Sequence, residues 1–290
     1  MTAISLTSVF AGRGRRMSAT AGLIPLGIIG VYVLVALIGP LVISYDPVFT
    51  SVGDRLLPPG SVGTDGAFYP LGTDGLGRDM VGQLVYGTRT SLIIGVSVVA
   101  ISGFIGVLLG TIAGYFSGWI DVTVSRLIDV LLAFPGILLA IIITGVFDRS
   151  MMVVIIALSV ANWIGFARLS RGLALTLRER PWVDAARLIG VRTPLLLGRH
   201  IAPFVLGPIV ALATTEFAGA VLAEAGLSFL GLGLPPSSVS WGQTIAEGRT
   251  YLGSAWWIST FPGIALSGLV ICAGLLGDRL TARFTSGDHR

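Results

Sequence analysis

Six long apolar runs constrain this chain more than any other feature. They cover Gly22–Ile43, Thr90–Phe116, Leu127–Phe147, Met151–Ala167, Ile201–Ala223 and Ala255–Gly277. About 20 residues of helix cross a bilayer, so each run has the length or near-length of a span. The expectation is an all-α integral membrane protein with six transmembrane helices. The second run is long enough to tilt. Asp148-Arg149-Ser150 separates the third run from the fourth, which predicts a tight helical hairpin. Composition points the same way: of 290 residues 53% are hydrophobic and 12% charged, with mean hydropathy +0.88. A soluble domain of that length is far more polar. Forty glycines suit helices whose backbones approach closely in lipid.

All 19 basic residues are arginine. A P-loop needs its lysine, so the chain carries no Walker A motif of its own, and a Schiff-base lysine is excluded with it. The single Cys272 excludes a disulfide framework, and His200 and His289 are too few and too far apart for a histidine metal cluster. No cofactor or metal is expected on this chain. A pI near 9.7 invites a nucleic-acid reading, but the arginines follow membrane topology, so no nucleic-acid partner is expected.

With the N-terminus inside, fourteen arginines fall on the inner side: Arg13, Arg15, Arg16, Arg126, seven in segment 168–200, Arg279, Arg283 and Arg290. Five fall outside: Arg55, Arg78, Arg89, Arg149 and Arg249. The positive-inside rule therefore places both termini and the 168–200 loop in the cytoplasm. The first run exceeds a signal-peptide h-region, and Pro40 to Tyr45 lacks a small-x-small cleavage site, so it reads as a retained helix.

Segment 176–203 reads TLRERPWVDAARLIGVRTPLLLGRHIAP. Pro181 suits a first helical turn and Gly190 a left-handed helix end. Trp182, Ala185, Ala186 and Ile189 share one side at helical spacing, Asp184 complements the helix N-terminus, and Arg187 lies further along. A short amphipathic helix across the membrane surface is predicted, with small alanines admitting another protein. Pro194 is expected to break the chain before the fifth run. Asp184-Ala185-Ala186, Gly190 and Ile201-Ala202-Pro203 resemble the EAA loop of ATP-binding-cassette importer permeases, with Asp184 for the usual Glu and Ala202 for the usual Leu.

Further blocks extend the resemblance from about residue 70 to about 280. They are LGTDGLGRD at Leu71–Asp79, AGYFSGWIDVTVSRLIDVLLAFPG at 113–136 and LAEAGLSFLGLGLPPSSVSWG at 222–242, with FPG at 261–263. Together they look like the C-type permease subunit of dipeptide, oligopeptide and nickel importers. That resemblance implies a type I importer permease fold, a five-helix core plus one N-terminal helix. It implies that Arg180, Pro181, Trp182, Asp184, Ala185, Ala186, Arg187, Gly190 and Pro203 belong to an ATPase-coupling loop. It further implies four partners: a homologous B-type permease, two cytoplasmic ATPase subunits that bind ATP and Mg, and an extracytoplasmic substrate-binding protein. The chain itself would be no enzyme, and peptides are the expected cargo, with nickel or another small solute as the alternative.

The expected layout is a cytoplasmic segment 1–21, a first span 22–43, and an outer loop and elbow 44–89. A permease core 90–280 follows, carrying the coupling loop 168–200 and an outer platform 224–254, then a cytoplasmic tail 281–290. Thr73 or Asp74 is expected to cap a helix starting near Gly75, and Asp79–Tyr86 to form an interfacial elbow. Trp256 and Trp257 read as an interfacial aromatic belt. Glu216 lies midway along the fifth run, where a charge is costly. It is a candidate for the translocation path, together with Asn162, Thr214 and Thr215; interhelical hydrogen bonds are the alternative for the last three. Asp129 has Arg126 at i−3, within pairing reach. A proton-coupled secondary transporter using Glu216 is the rival class. A membrane-embedded hydrolase would need a nucleophile–base pair or metal cluster that the sequence does not offer.

Overall fold

The structure is a computed structural model that describes residues 23–286, with side chains to residue 282. The segment 1–21 with Arg13, Arg15 and Arg16, and the tail beyond 286 with His289 and Arg290, lie outside the described residues. Five helices are long and apolar enough to cross a membrane, and a sixth candidate is a bent pair.

Helix α1 (Leu23–Val42) lies on the outside of the bundle, burying Pro25 and Ala36 while most of its apolar side chains stay exposed. A loop follows that holds a 3₁₀ turn at Val52–Asp54 and a two-stranded hairpin. In the hairpin, β1 (Ser61–Val62) and β2 (Phe68–Tyr69) pair antiparallel, Ser61 opposite Tyr69. Helix α2 (Met80–Phe116) then runs 37 residues, about 55 Å at 1.5 Å per residue. Its cap is Asp79, whose carboxylate accepts from the Val81 and Gly82 amides at 3.1 and 3.0 Å. The expected elbow is thus the opening turns of one continuous helix. Thr73 and Asp74, expected as caps, are instead buried organisers of the loop.

Close packing of α2 on α5 (Met151–Arg178) makes the spine of the fold. Gly106, Gly110 and Gly114 recur every four residues along one face of α2. A Cβ at any of them would overlap α5 atoms, at Trp163 and Phe166, at Ala167 and Ser170, and at Arg171 and Ala174 respectively. In lipid there is no hydrophobic gain from joining two helices, so small residues that admit backbone contact carry the association. Ser170 Oγ adds an interhelical bond to the Gly106 carbonyl at 3.2 Å.

The third apolar run is not one straight span. It forms α3 (Gly118–Leu132) and α4 (Gly136–Val146), bent by 80°. Pro135 lacks an N–H and steers Phe134 away from helical geometry, so the helix stops and restarts. Residues 138 and 139 take up the new turn by donating to the Pro135 carbonyl at 2.9 and 3.2 Å. Eleven residues make α4 only about 16 Å long, too short to cross alone. Ser150 caps α5 after the three-residue turn, accepting from the Val153 amide at 3.2 Å. The expected Arg126–Asp129 pair does not form. Arg171 of α5 pairs with Asp121 of α3 instead, tying the bent arm to the spine.

Helix α5 continues past its expected end to Arg178. Helix α6 (Pro181–Leu188) follows. Pro194 does not break the chain. It sits in the first turn of a short helix, α7 (Thr193–Leu195), which a π-helical turn at Leu196–Ile201 joins to α8 (Ala202–Phe229). Helix α8 runs on through Glu224, which the layout above placed outside the membrane. The outer platform reduces to α9 (Trp241–Gly248) and a 3₁₀ turn, Arg249–Tyr251, before α10 (Trp257–Ser286).

Two ends of the bundle result. At the loop end, the 43–79 loop packs on α9 and the start of α10. At the other, the C-terminus of α2 meets α6. The last turns of α1 contact the start of α2, where a Gly39 Cβ would strike Val85, and α10 starts against Thr73. The N-terminal end of α1 and the C-terminal end of α10 therefore lie toward the α6 side.

Candidate functional site

Helix α6 hangs beneath the bundle by few attachments. Val183 is fully buried and Ala186 partly so, packed with Tyr115, Leu196 and Ile201. The set read as one side divides here: Ala186 turns inward with Val183, while Trp182, Ala185 and Ile189 stay outward. Leu188 and Ile189 are 89% and 81% exposed. Trp182 lies with its ring 5.9 Å from that of Phe204 on α8. Pro181 takes the first helical position and Arg180 precedes it as the capping residue without a side-chain bond. The far end closes as a Schellman motif. The Val191 amide reaches the Ala186 carbonyl at 3.0 Å and the Gly190 amide the Arg187 carbonyl at 3.0 Å. Gly190 has φ +84°, the left-handed conformation read from sequence. Pro203 lies in the first turn of α8.

Asp184 points away from the bundle. Among the described residues its one partner is Arg187, at 3.2 Å. Arg187 also donates to the Tyr115 hydroxyl at 3.2 Å and lies over that ring, 5.1 Å from its centroid. Tyr115 is thus the platform that sets the height of α6 under α2. Nothing in the loop's own sequence signals it, since it lies 72 residues upstream. Arg178 secures the approach, bonding Ser117 Oγ and the Tyr115 carbonyl.

A second feature is a cavity of about 360 Å³ where the α3/α4 bend meets α5 and α8. Its wall is apolar except for Asn162, Arg168 and Glu216. Glu216 is half-buried, and its Oε1 lies 3.0 Å from where a Gly165 Cβ would stand. Among the described residues it has no hydrogen-bond or ion-pair partner. Thr214 and Thr215, grouped with it from sequence, are elsewhere: both hydroxyls face Gly277 of α10, and Thr214 donates to the Ala211 carbonyl at 2.7 Å. In the sequence Arg168 carries only a topology signal. Its place in the cavity follows from α5 continuing past residue 167.

At the loop end, Arg78 donates to Asp74 and to Glu247, both at 2.6 Å. Asp74 also accepts from Gln83 at 2.6 Å, and Gln83 from Thr244 at 2.9 Å. Both carboxylates hold the Arg78 guanidinium charged against the desolvation that opposes it, so its pKa is raised. Trp257, expected in an interfacial belt, is buried and donates to the Thr73 carbonyl at 3.0 Å; Trp256 is 52% exposed, as a belt residue would be.

Residues 106–286 match the family described as the binding-protein-dependent transport system inner membrane component. The chain belongs to this family. Over 266 residues it is 42% identical to a putative peptide transport system permease protein of Brucella suis, covering 92% of this chain and 86% of that one. It is 37% identical to the di/tripeptide transport system permease protein DppC of Pseudomonas aeruginosa, over 86% and 82% of the two chains. A glutathione transport system permease protein of Pectobacterium atrosepticum is 39% identical over 72% of this chain and 70% of its own. Among solved structures, the inward-facing methionine ABC transporter MetNI aligns with TM-score 0.57 at 21% identity, over 71% of this chain and 97% of that one. The permease thus has the type I ABC importer fold read from its sequence, and it is a multi-pass inner-membrane component.

Proposed function

We propose that this permease is one of two unlike membrane subunits of an importer that moves short peptides inward, powered by ATP hydrolysed on partner subunits. The carrying observation is α6: a capped, separately held helix whose Trp182, Ala185, Leu188 and Ile189 face is turned outward. An apolar face left open beside exposed charges suits a protein partner. The family resemblance supports reading that partner as a cytoplasmic ATPase, one of two, each binding its own ATP and Mg. The arginine distribution supports a cytoplasmic side for α6 and both chain ends. A homologous B-type permease completes the pore, a binding protein delivers cargo to the loop end, and lipid covers the apolar outer faces of helices such as α1.

In this reading ATP-driven closure of the ATPases moves α6. Arg187 on Tyr115, and Val183 in its buried seat, pass the movement to α2 and α8, and the access of the pore alternates as a rigid-body switch. Support for peptide cargo comes from the relatives' names. Uptake of labelled di- and oligopeptides by cells with and without the chain tests it, with a nickel tracer in parallel. Peptide uptake lost without the chain is expected; loss of nickel uptake alone would keep the architecture and overturn the cargo. Ala185→Arg should abolish ATPase association, and full-rate transport by that variant would refute the coupling role.

A further inference from the structure

The cavity at the α3/α4 bend holds two opposite charges that do not meet. Glu216 of α8 and Arg168 of α5 both line it, yet no ion pair joins them, and neither has a partner among the described residues. A half-buried carboxylate midway along a membrane helix is costly when unpaired, so its persistence points to a transient cationic partner. Asn162, Gly165 and Arg168 follow one another at three-residue intervals, on one stripe of α5. Gly165 offers no side chain, which leaves the Glu216 carboxylate room against that stripe. Arg168 stands about 4.5 Å further along the axis, before its own reach is added.

We propose that this cavity is a contact site for a zwitterionic short peptide in transit. Glu216 receives the terminal ammonium and Arg168 the terminal carboxylate, with Asn162 available to the peptide bond. This rests on the peptide reading above. The volume of about 360 Å³ lies at the small end of ligand pockets and suits a dipeptide, whose extended backbone spans about 7 Å. Walls formed by Leu131, Phe134, Ile137 and Leu158 accept varied side chains without specific bonds. The two charged ends therefore give recognition common to all short peptides, with the Glu216 end half-buried and the Arg168 end exposed.

The test uses the assembled transporter in nanodiscs without its binding protein, so that binding at the permease is read alone. With Cys272→Ala as background and cysteines removed from the other subunits, Ala161→Cys places a thiol in the cavity wall for maleimide labelling. Dialanine should slow labelling severalfold; N-acetyl-dialanine and dialanine amide should not. Glu216→Gln should raise the half-protecting dialanine concentration about tenfold or more, the loss expected for a charge-assisted hydrogen bond, while Glu216→Asp keeps most of the protection. Equal protection by the blocked peptides would overturn the proposal. So would loss of subunit assembly in Glu216→Gln, which would make Glu216 a contact between subunits. Dialanine transport by the complete system without any protection would sink the site and leave the peptide reading standing. Neither transport nor protection with any peptide would sink both.

Discussion

At the loop end the Arg78 side chain is 9% exposed and held between Asp74 and Glu247, whereas at the α6 end Arg187 keeps 43% of its side chain exposed and shares one longer contact with Asp184. The same two residue types meet under opposite conditions. The buried set continues through Gln83 and Thr244, and a neighbouring one joins the fully buried Glu224 to Ser228 and Ser240 at 2.8 and 2.7 Å. Three separate chain segments are thereby fixed to one another: the 74–83 turn, α8 and α9. By contrast α6 rests on Val183, Ala186 and the Arg187–Tyr115 contact, and leaves its apolar residues uncovered. A surface ion pair adds at most about 1 kcal/mol, while a buried one strongly penalises removal of either partner. One end is thus built to keep its geometry, and the other to be completed by a second protein.

The largest effect should come from breaking the loop-end set. Arg78→Ala strands Asp74, which is 1% exposed, with an uncompensated charge. The loss should be about 3 kcal/mol, the low end for breaking a buried pair, because solvent reaches Glu247, 37% exposed. A lowered midpoint of thermal unfolding in detergent reads it. Arg187→Ala should move that midpoint little. Equal shifts in the two variants would erase the contrast between the ends.

Most of the apolar spans and helix α6 were legible because both depend on local pattern. Apolar length fixes a crossing, and Pro181 with Gly190 marks the two ends of α6 wherever it packs. What escaped reading depends on partners distant in sequence. Glu224 looked like the end of a span because a charge there seemed unpaid, but Ser240, sixteen residues on, supplies a bond. Trp257 resembled a belt residue until Thr73 appeared 184 residues away as its acceptor. The α3/α4 bend is a different case. Phe134-Pro135-Gly136 is a local breaker signal inside an apolar run, and averaging over hydropathy hides it. Of the four polar residues proposed for the path, Asn162 and Glu216 share a cavity and the two threonines do not; side-chain direction on α8 decides this, and one sequence does not reveal it.

A smaller effect tests whether α6 must arrive preformed. A Cβ at Gly190 would meet nothing within 4 Å, so Gly190→Ala changes only the backbone preference at φ +84°. That costs about 1 kcal/mol. It should weaken ATPase association about fivefold, with the unfolding midpoint nearly unchanged. Gly190→Asn, which tolerates the left-handed region, should recover most of the affinity. Pull-down of the ATPases at graded concentration measures both. An unchanged affinity for Gly190→Ala would mean that the partner, rather than the Schellman cap, shapes this turn.

The smallest effect is local to the outer loop and depends on pH. Asp54 accepts from the Thr64 amide at 2.7 Å and from Ser51 Oγ at 2.8 Å, and these bonds, the amide first, lower its pKa from the ordinary 3.8. A carboxylate depressed on folding contributes stability that is fully present above the unfolded value and is lost as pH falls through the folded one. Hydrogen exchange at the Thr64 amide should therefore stay slow, relative to an unstructured amide at the same pH, down through the ordinary aspartate range. Relative protection should fall only below it. Asp54→Asn should remove that pH dependence and leave the Arg78 set intact, because Thr73 bonds the Asp54 backbone carbonyl, at 2.5 Å, rather than its side chain. If acid instead released Thr64 and the Arg78 set together, the loop end would melt as one unit, and its rigidity would rest on the hairpin as much as on the buried charges.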